Sequence, residues 1–208
     1  MALIYIDKVT TNQAAFAAKV ITICSQLSID PNWLMAVMYI ESGLNPASVN
    51  SSTGAVGLIQ FLPSTAIELG TTAEALRSMS NVDQLDYVYS YLKPYRSKIQ
   101  SFTDCYFAVF FPAAIGHYSD WILQAYGMSA GYVAGKNGGY DPNNDNEITF
   151  REVEGKILLM VDPQYRAALT ASKVPVVVDW TPVRILEIAL ALILMGAGGI
   201  LIYKIFKK

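Results

Sequence analysis

Residues 41–66 read ESGLNPASVNSSTGAVGLIQFLPSTA. The segment just before them, PNWLMAVMYIE at 31–41, predicts a helix. Asp30 is placed to cap it, and Pro31 suits the first helical position because its missing N–H leaves no helical bond unmade. Trp33, Leu34, Val37 and Met38 form its apolar stripe. Glu41 falls four residues beyond Val37 and three beyond Met38, so it emerges on or beside that stripe. A carboxylate there is costly unless it is neutral, paired or facing a cleft. After it, residues 42–56 form a polar loop rich in Gly, Asn and Ser, and Pro63 opens a short helix that stops at Gly70.

Working outward, residues 12–27 predict a helix with Phe16, Val20, Ile23 and Leu27 at helical spacing. Residues 71–79 form a short helix with Thr72 as cap, and 81–92 another with Leu85, Val88 and Leu92 inward. Residues 101–111 are dense in aromatics and read as a core helix that Pro112 perturbs or ends. Residues 113–136 are helix or loop around Trp121, 137–152 a polar loop, and 150–160 a further helix. Residues 1–11 read as a strand or an ordered arm.

Composition adds a second theme. Of 208 residues, 15% are charged and 53% hydrophobic, where a soluble chain has about 25% charged. Mean hydropathy is +0.32. The last third accounts for most of this excess. Residues 185–203, ILEIALALILMGAGGILIY, carry a single charged side chain, Glu187, and are long enough to cross a bilayer as a helix. Trp180 and Arg184 precede this segment, and Lys204, Lys207 and Lys208 follow it. The expected organisation is a catalytic domain over 1–136, a helical extension over 137–170, a linker over 171–182, a transmembrane helix over 183–204 and a basic tail over 205–208.

Net charge is −2, and no dense Lys/Arg cluster lies outside the tail, which argues against nucleic acid as a partner. Cys24 and Cys105 read as two buried free thiols or as a bridged pair. His117 is the only histidine, so no Cys/His zinc site is expected. The opening MALIYIDKVT lacks the basic and apolar regions of a secretory signal.

The chemistry centres on Glu41. Ser42, the polar loop, the glycine turn at Gly54 and Gly57, and Gln60 supply amide and hydroxyl groups suited to lining a sugar groove. The Glu-Ser pair, Asn45-Pro46, the Ser/Gly-rich loop, Gly57-Leu58-Ile59-Gln60 and Pro63 to Ala66 together resemble the goose-type lysozyme and soluble lytic transglycosylase superfamily. The likeness is densest over residues 24–70 and fades through residue 120. It implies a mainly α, lysozyme-like domain that cuts the β-1,4 bond between N-acetylmuramic acid and N-acetylglucosamine in peptidoglycan. It also implies that Glu41 protonates the departing oxygen and then serves as base toward the muramic C6 hydroxyl, leaving a 1,6-anhydro sugar. By the same resemblance, Ser42 and Gln60 orient sugar groups, while the backbone of Gly57, Leu58 and Ile59 shapes the cleft floor.

A carboxyl doing this near neutral pH needs a raised pKa, which burial beside Trp33, Val37 or Met38 supplies. Most glycosidases use two carboxylates. Asp83, Asp86 and Asp104 are candidates by chain position only, and solvated surface is the plainer reading for each. The sequence departs from the family at YFAVFFPAAIG, 106–116, where an Ala-Tyr-Asn-Ala-Gly-like stretch is expected to bring a tyrosine to the glutamate. Tyr106 is the candidate substitute there, with a core role as its alternative; Tyr87 and Tyr91 are further groove candidates.

Residues 141–152, DPNNDNEITFRE, resemble a twelve-residue EF-hand loop. Asp141, Asn143, Asp145, Glu147 (through its carbonyl), Thr149 and Glu152 stand at the ligand places, and Ile148 at the apolar eighth. Asn146 replaces the sixth-place glycine and tolerates a left-handed backbone. A structural calcium ion is expected, with a polar surface loop held by Asx turns as the alternative, and no ion for catalysis.

The combined expectation is a membrane-anchored peptidoglycan lytic transglycosylase with an EF-hand-like loop and one C-terminal span. Its setting would be the membrane of a phage particle or the host inner membrane. There it would open the wall locally at entry or exit, with glycan strands, the bilayer and capsid or vertex proteins as partners. The alternatives are a virion structural protein with a catalytically weak fold, and a muramidase that hydrolyses the same bond.

Overall fold

The computed structural model describes residues 3–170. The chain divides into two units, 1–173 and 174–208, and the second lies outside the described residues. Nine α-helices form the described part: α1 Gln13–Leu27, α2 Pro31–Ser42, α3 Pro63–Glu68, α4 Ala73–Ser78, α5 Asn81–Leu92, α6 Phe102–Phe110, α7 Ala130–Lys136, α8 Phe150–Met160 and α9 Pro163–Thr170. Extended pairing among the described residues is limited to isolated bridges, such as Val56 with Phe61 and Ile122 with Thr149.

Helix α2 is the axis of the core. Asn32, Trp33, Leu34, Met35, Ala36, Val37 and Met38 are all buried, wider than the four-residue stripe the sequence suggests. A helix apolar on every side must be enclosed, and α1, α6 and α9 enclose α2. Burying a side chain such as Leu34 or Met38 completely contributes about 1.5–3 kcal/mol. The start of α2 is fixed as expected: Asp30 accepts from the Asn32 amide at 2.8 Å and Pro31 is the first helical residue.

The N-terminal arm is ordered. Tyr5 is fully buried, its ring stacked on Tyr39 of α2 at 3.8 Å, and its hydroxyl accepts from the Asp162 amide at 2.8 Å. Thr103 of α6 donates to Glu154 of α8 at 3.0 Å. These contacts fasten the segment after residue 137 onto α6 and, through Tyr5, onto α2, which carries Glu41.

The expected fold class is corrected in one respect. Among the described residues, no helix is long and apolar enough to cross a membrane. The longest, α1, has 15 residues, about 22 Å against the roughly 30 Å of a hydrocarbon core. It also carries Lys19, which pairs with Asp86 at 2.7 Å. The segment expected to span, 183–204, lies outside the described residues, with its linker and tail. The described residues therefore form a mainly helical domain without a membrane-spanning helix. The localisation as a membrane-anchored chain, in a virion or host inner membrane, is not supported and is withdrawn, and with it the bilayer as a partner.

Candidate active site

Glu41 sits in the last turn of α2, and the local sequence explains why the helix stops there. Gly43 adopts φ +62° and donates to Tyr39 at 2.9 Å, while the Leu44 amide donates to Met38 at 3.3 Å. This left-handed closure gives partners to the Met38 and Tyr39 carbonyls in the last turns of the helix. The carboxyl is thus presented at a helix end above the buried Met38 and Val37, and it is itself half-buried.

Tyr106, buried in α6, reaches this carboxyl and hydrogen-bonds to it. The Tyr106 hydroxyl also bonds the hydroxyl of Tyr140, which follows α7 in a short 3-10 turn, Gly138–Tyr140. Burial raises the Glu41 pKa to about 7, and the Tyr106 hydrogen bond opposes the shift. Burial, with the Glu41 charge next, pushes the Tyr106 hydroxyl far above its ordinary range. Burial also raises the Tyr140 hydroxyl, so both tyrosines are neutral and either hydroxyl can donate in the bond they share. Tyr91 of α5 also feels the Glu41 charge; its hydroxyl donates to the Ala108 carbonyl at 3.0 Å and its ring meets Phe61 edge-on at 6.2 Å. Nothing links Tyr87, half-buried on the same helix, to Glu41.

The Gly57–Gln60 turn lies against the end of α2. The Ser42 hydroxyl is within 2.9 Å of both the Met38 and Leu58 carbonyls, tying helix to turn. In this arrangement Ser42 holds the turn through its own backbone contacts. Leu58 and Ile59 bury their side chains, Val56 and Phe61 exchange two backbone bonds, and Gln60 folds back so that its amide donates to the Gly57 carbonyl at 3.1 Å. Gln60 itself has φ +54°, a left-handed conformation held in place by those bonds.

Each carboxylate considered as a second catalytic group is engaged elsewhere. Asp83 bonds Ser80 at the start of α5, and Asp86 pairs with Lys19. Asp104 is buried and accepts from the amides of Gln100 and Gly116. Glu68, exposed at the end of α3, shares Tyr91 as a neighbour with Glu41.

The 141–152 loop joins α7 to α8. Asn146 takes φ +65°, and Ile148 is fully buried with its carbonyl accepting from Leu123 at 2.8 Å. The oxygen-rich donor set suits a hard cation. Asp141 and Asp145 direct their carboxylates to backbone amides of the loop, Asn143 donates to Asp145, and the exposed Glu147 sends its amide to Asp145. Glu152 and Thr149 form a capping box at the start of α8. Among the described residues, no group of three or more His, Cys, Asp or Glu side chains gathers as a metal site.

Two residues escape the sequence reading. Gln84 is fully buried: its carbonyl accepts from Leu58 N at 2.9 Å, and its amide donates to Pro46 at 2.6 Å and Leu76 at 2.7 Å. The signal was a polar residue four before Val88, on the inward stripe of α5. Tyr140 carries no comparable signal, because its partner is 34 residues away in sequence. The cysteines are free and buried, with the Cys105 thiol pushed up to about 12 by burial.

Residues 20–108 match the model of a family described as the transglycosylase SLT domain, whose members are lytic transglycosylases acting on peptidoglycan. No curated protein and no solved structure matches the chain.

Proposed function

We propose that this chain, a lytic transglycosylase with its SLT domain over residues 20–108, cleaves the MurNAc-β-1,4-GlcNAc bond and leaves a 1,6-anhydromuramic end. The observation that carries this reading is Glu41: a half-buried carboxyl with its pKa raised to about 7, bonded to the neutral hydroxyl of Tyr106. Near neutral pH it is about half protonated, as a group that must first give and then take a proton needs to be. Protonated Glu41 gives its proton to the glycosidic oxygen as the C1–O bond breaks, and the substrate N-acetyl group stabilises the cationic centre. The carboxylate so formed accepts the proton of the muramic C6 hydroxyl as the C1–O6 bond closes, which restores the acid. During the ionised interval Tyr106 donates to the carboxylate. One carboxyl suffices, because the substrate brings its own nucleophile.

The Phe110-Phe111-Pro112 departure suggested a catalytically weak fold. Tyr106, one turn before Phe110, supports the active reading instead, since it supplies the hydroxyl next to Glu41. For the 141–152 loop we propose a structural calcium ion held by Asp141, Asn143, Asp145, the Glu147 carbonyl, Thr149 and Glu152. The donor chemistry and the left-handed Asn146 support it. Local wall opening by a phage, with capsid or vertex proteins as partners, is the setting proposed from the wall-cutting domain; detection of the chain in purified particles decides it.

Mass spectrometry of digested peptidoglycan tests the reaction. Anhydromuramic products from the native protein that disappear in Glu41→Gln support it. Reducing-end muramic products point to hydrolysis, and no products from folded protein reject the reading.

A further inference from the structure

The Tyr106 hydroxyl has one proton and two neighbours. One is the Glu41 carboxyl; the other is the Tyr140 hydroxyl. An ionised carboxylate accepts only, so when Glu41 is charged the Tyr106 proton must point to it. The bond to Tyr140 then requires Tyr140 to be the donor. The three groups form a directed chain, Tyr140 to Tyr106 to Glu41.

Packing holds this chain in place. The Phe110 ring lies 5.7 Å from that of Tyr106 and 4.8 Å from that of Tyr140, so Phe110 wedges against both. Phe107 extends the aromatic layer to Phe150 at 4.9 Å. Tyr140 lies outside residues 20–108, the segment that the family model matches. It comes from the turn immediately before the 141–152 loop, and that turn is fixed by the Asp141 amide bonding Gly138 at 3.2 Å and the Tyr140 amide bonding Asn137 at 2.8 Å.

We infer that Tyr140 is a positioning residue for Glu41, acting through Tyr106, so that the segment after the SLT-matched residues completes the acid site. This rests on the reading of Glu41 as the reacting carboxyl. Donation by Tyr140 polarises the Tyr106 O–H and strengthens its bond to the charged carboxylate. The other titratable groups facing Glu41 are Tyr106 from α6 and Tyr91 from α5; Glu68 and Tyr126 act on Tyr91 from one neighbour further out.

The test is a double-mutant cycle on the full chain with Tyr140→Phe, Tyr106→Phe and both. Two readouts are taken: the Glu41 pKa by carboxyl NMR titration, and turnover of peptidoglycan. Tyr140→Phe is expected to raise the Glu41 pKa by roughly half a unit to one unit and to lower kcat by about 3- to 10-fold with little change in KM. In the Tyr106→Phe background, Tyr140→Phe is expected to add nothing to either readout. An unchanged Glu41 pKa in folded Tyr140→Phe overturns the inference, as does an equal effect of Tyr140→Phe with and without Tyr106. The NMR titration needs no turnover. A pKa that responds in a protein that degrades no wall therefore separates failure of the functional reading from failure of this one.

Discussion

Tyr106 bonds the carboxyl of Glu41 from a helix that ends, four residues later, in Phe110. Its hydrogen bond favours the charged form of Glu41, while burial favours the neutral form and outweighs it. Removing the hydroxyl should leave desolvation unopposed. Tyr106→Phe is expected to move the Glu41 pKa above its value of about 7, shift the alkaline limb of the kcat profile to higher pH, and reduce kcat about tenfold. Glu41→Gln is expected to cost at least about a thousandfold at every pH. A pH–rate profile for each variant checks both. A limb that stays in place in Tyr106→Phe would show that another group sets it.

Glu41 should also govern how stability changes with pH. Its folded pKa, about 7, lies above the roughly 4.3 of an unfolded chain. Between those values the folded state binds more protons, so this contribution is complete at low pH and is lost as pH rises through about 7. Glu41→Gln removes the charge, and its advantage over the native protein should grow from pH 4 to pH 8 by on the order of 1–3 kcal/mol. Urea unfolding at the two pH values measures this. A constant difference between the proteins would mean that Glu41 is not desolvated.

Gly57 and Gln84 make a separable prediction about the turn beside the site. Gly57 has φ +80°, and a Cβ there would lie 2.5 Å from the Gln84 side-chain oxygen. Gly57→Ala therefore strains the backbone and displaces a buried amide that bonds Leu58, Pro46 and Leu76. A loss of roughly 2–4 kcal/mol is expected. Gln84→Ala should cost a similar amount by removing the side-chain partner of the Leu58 amide and the Pro46 carbonyl, while Leu76 keeps its bond from the Met79 amide. The double variant should lose less than the sum, because the alanine methyl no longer meets the Gln84 side-chain amide. Strict additivity in chemical denaturation would show that the two residues do not interact.

Much of this was legible from local chemistry. The Asp30-Pro31 start of α2, the stop at Pro112 and the helices at 81–92 and 150–160 follow from capping, proline geometry and apolar spacing, which act within a few residues. Glu41 stood out because a charge beside an apolar stripe needs a reason. Ser42 carried less information: the sequence could offer its hydroxyl to a sugar, but could not show that Met38 and Leu58 already share it. Tyr140 and Gln84 act across 34 and 26 residues through loop closures that no local pattern encodes. The spanning helix was inferred from hydropathy, length and flanking residues in a segment outside the described residues, and among the described residues no helix is long and apolar enough to cross a membrane.

Glu68 separates a transglycosylase from a hydrolase. Hydrolysis with inversion needs a second carboxylate to activate water, at about 6.5–9.5 Å from the acid. Asp83, Asp86 and Asp104 are committed elsewhere, which leaves Glu68, whose charge acts on Tyr91 as that of Glu41 does, as the carboxylate to test. If the C6 hydroxyl is the acceptor, Glu68→Gln should retain kcat within about twofold and still yield anhydromuramic ends. A loss of a hundredfold or more in Glu68→Gln, with reducing-end products from the native protein, would assign Glu68 as the base for water.

The 141–152 loop offers a prediction that does not depend on catalysis. Glu152 serves two ends: its carboxylate closes the capping box with Thr149, and it stands at the twelfth place, where an EF-hand loop supplies its bidentate ligand. Glutamine at that position still accepts in a capping box but binds calcium poorly, so Glu152→Gln tests the ion while sparing the helix. A site that binds only the folded state stabilises it by about 2.7 kcal/mol at a hundred times its dissociation constant, or roughly 5–10 °C for a chain of this size. Millimolar calcium is expected to raise the melting temperature of the native protein by several degrees and that of Glu152→Gln by less than about one. Magnesium should do less, because it sheds water reluctantly and demands octahedral geometry. Equal melting curves for the native protein in calcium and in chelator, with no heat of binding by calorimetry, would leave the loop as a cap and turn held by its own Asx bonds, the state its internal hydrogen bonds already describe.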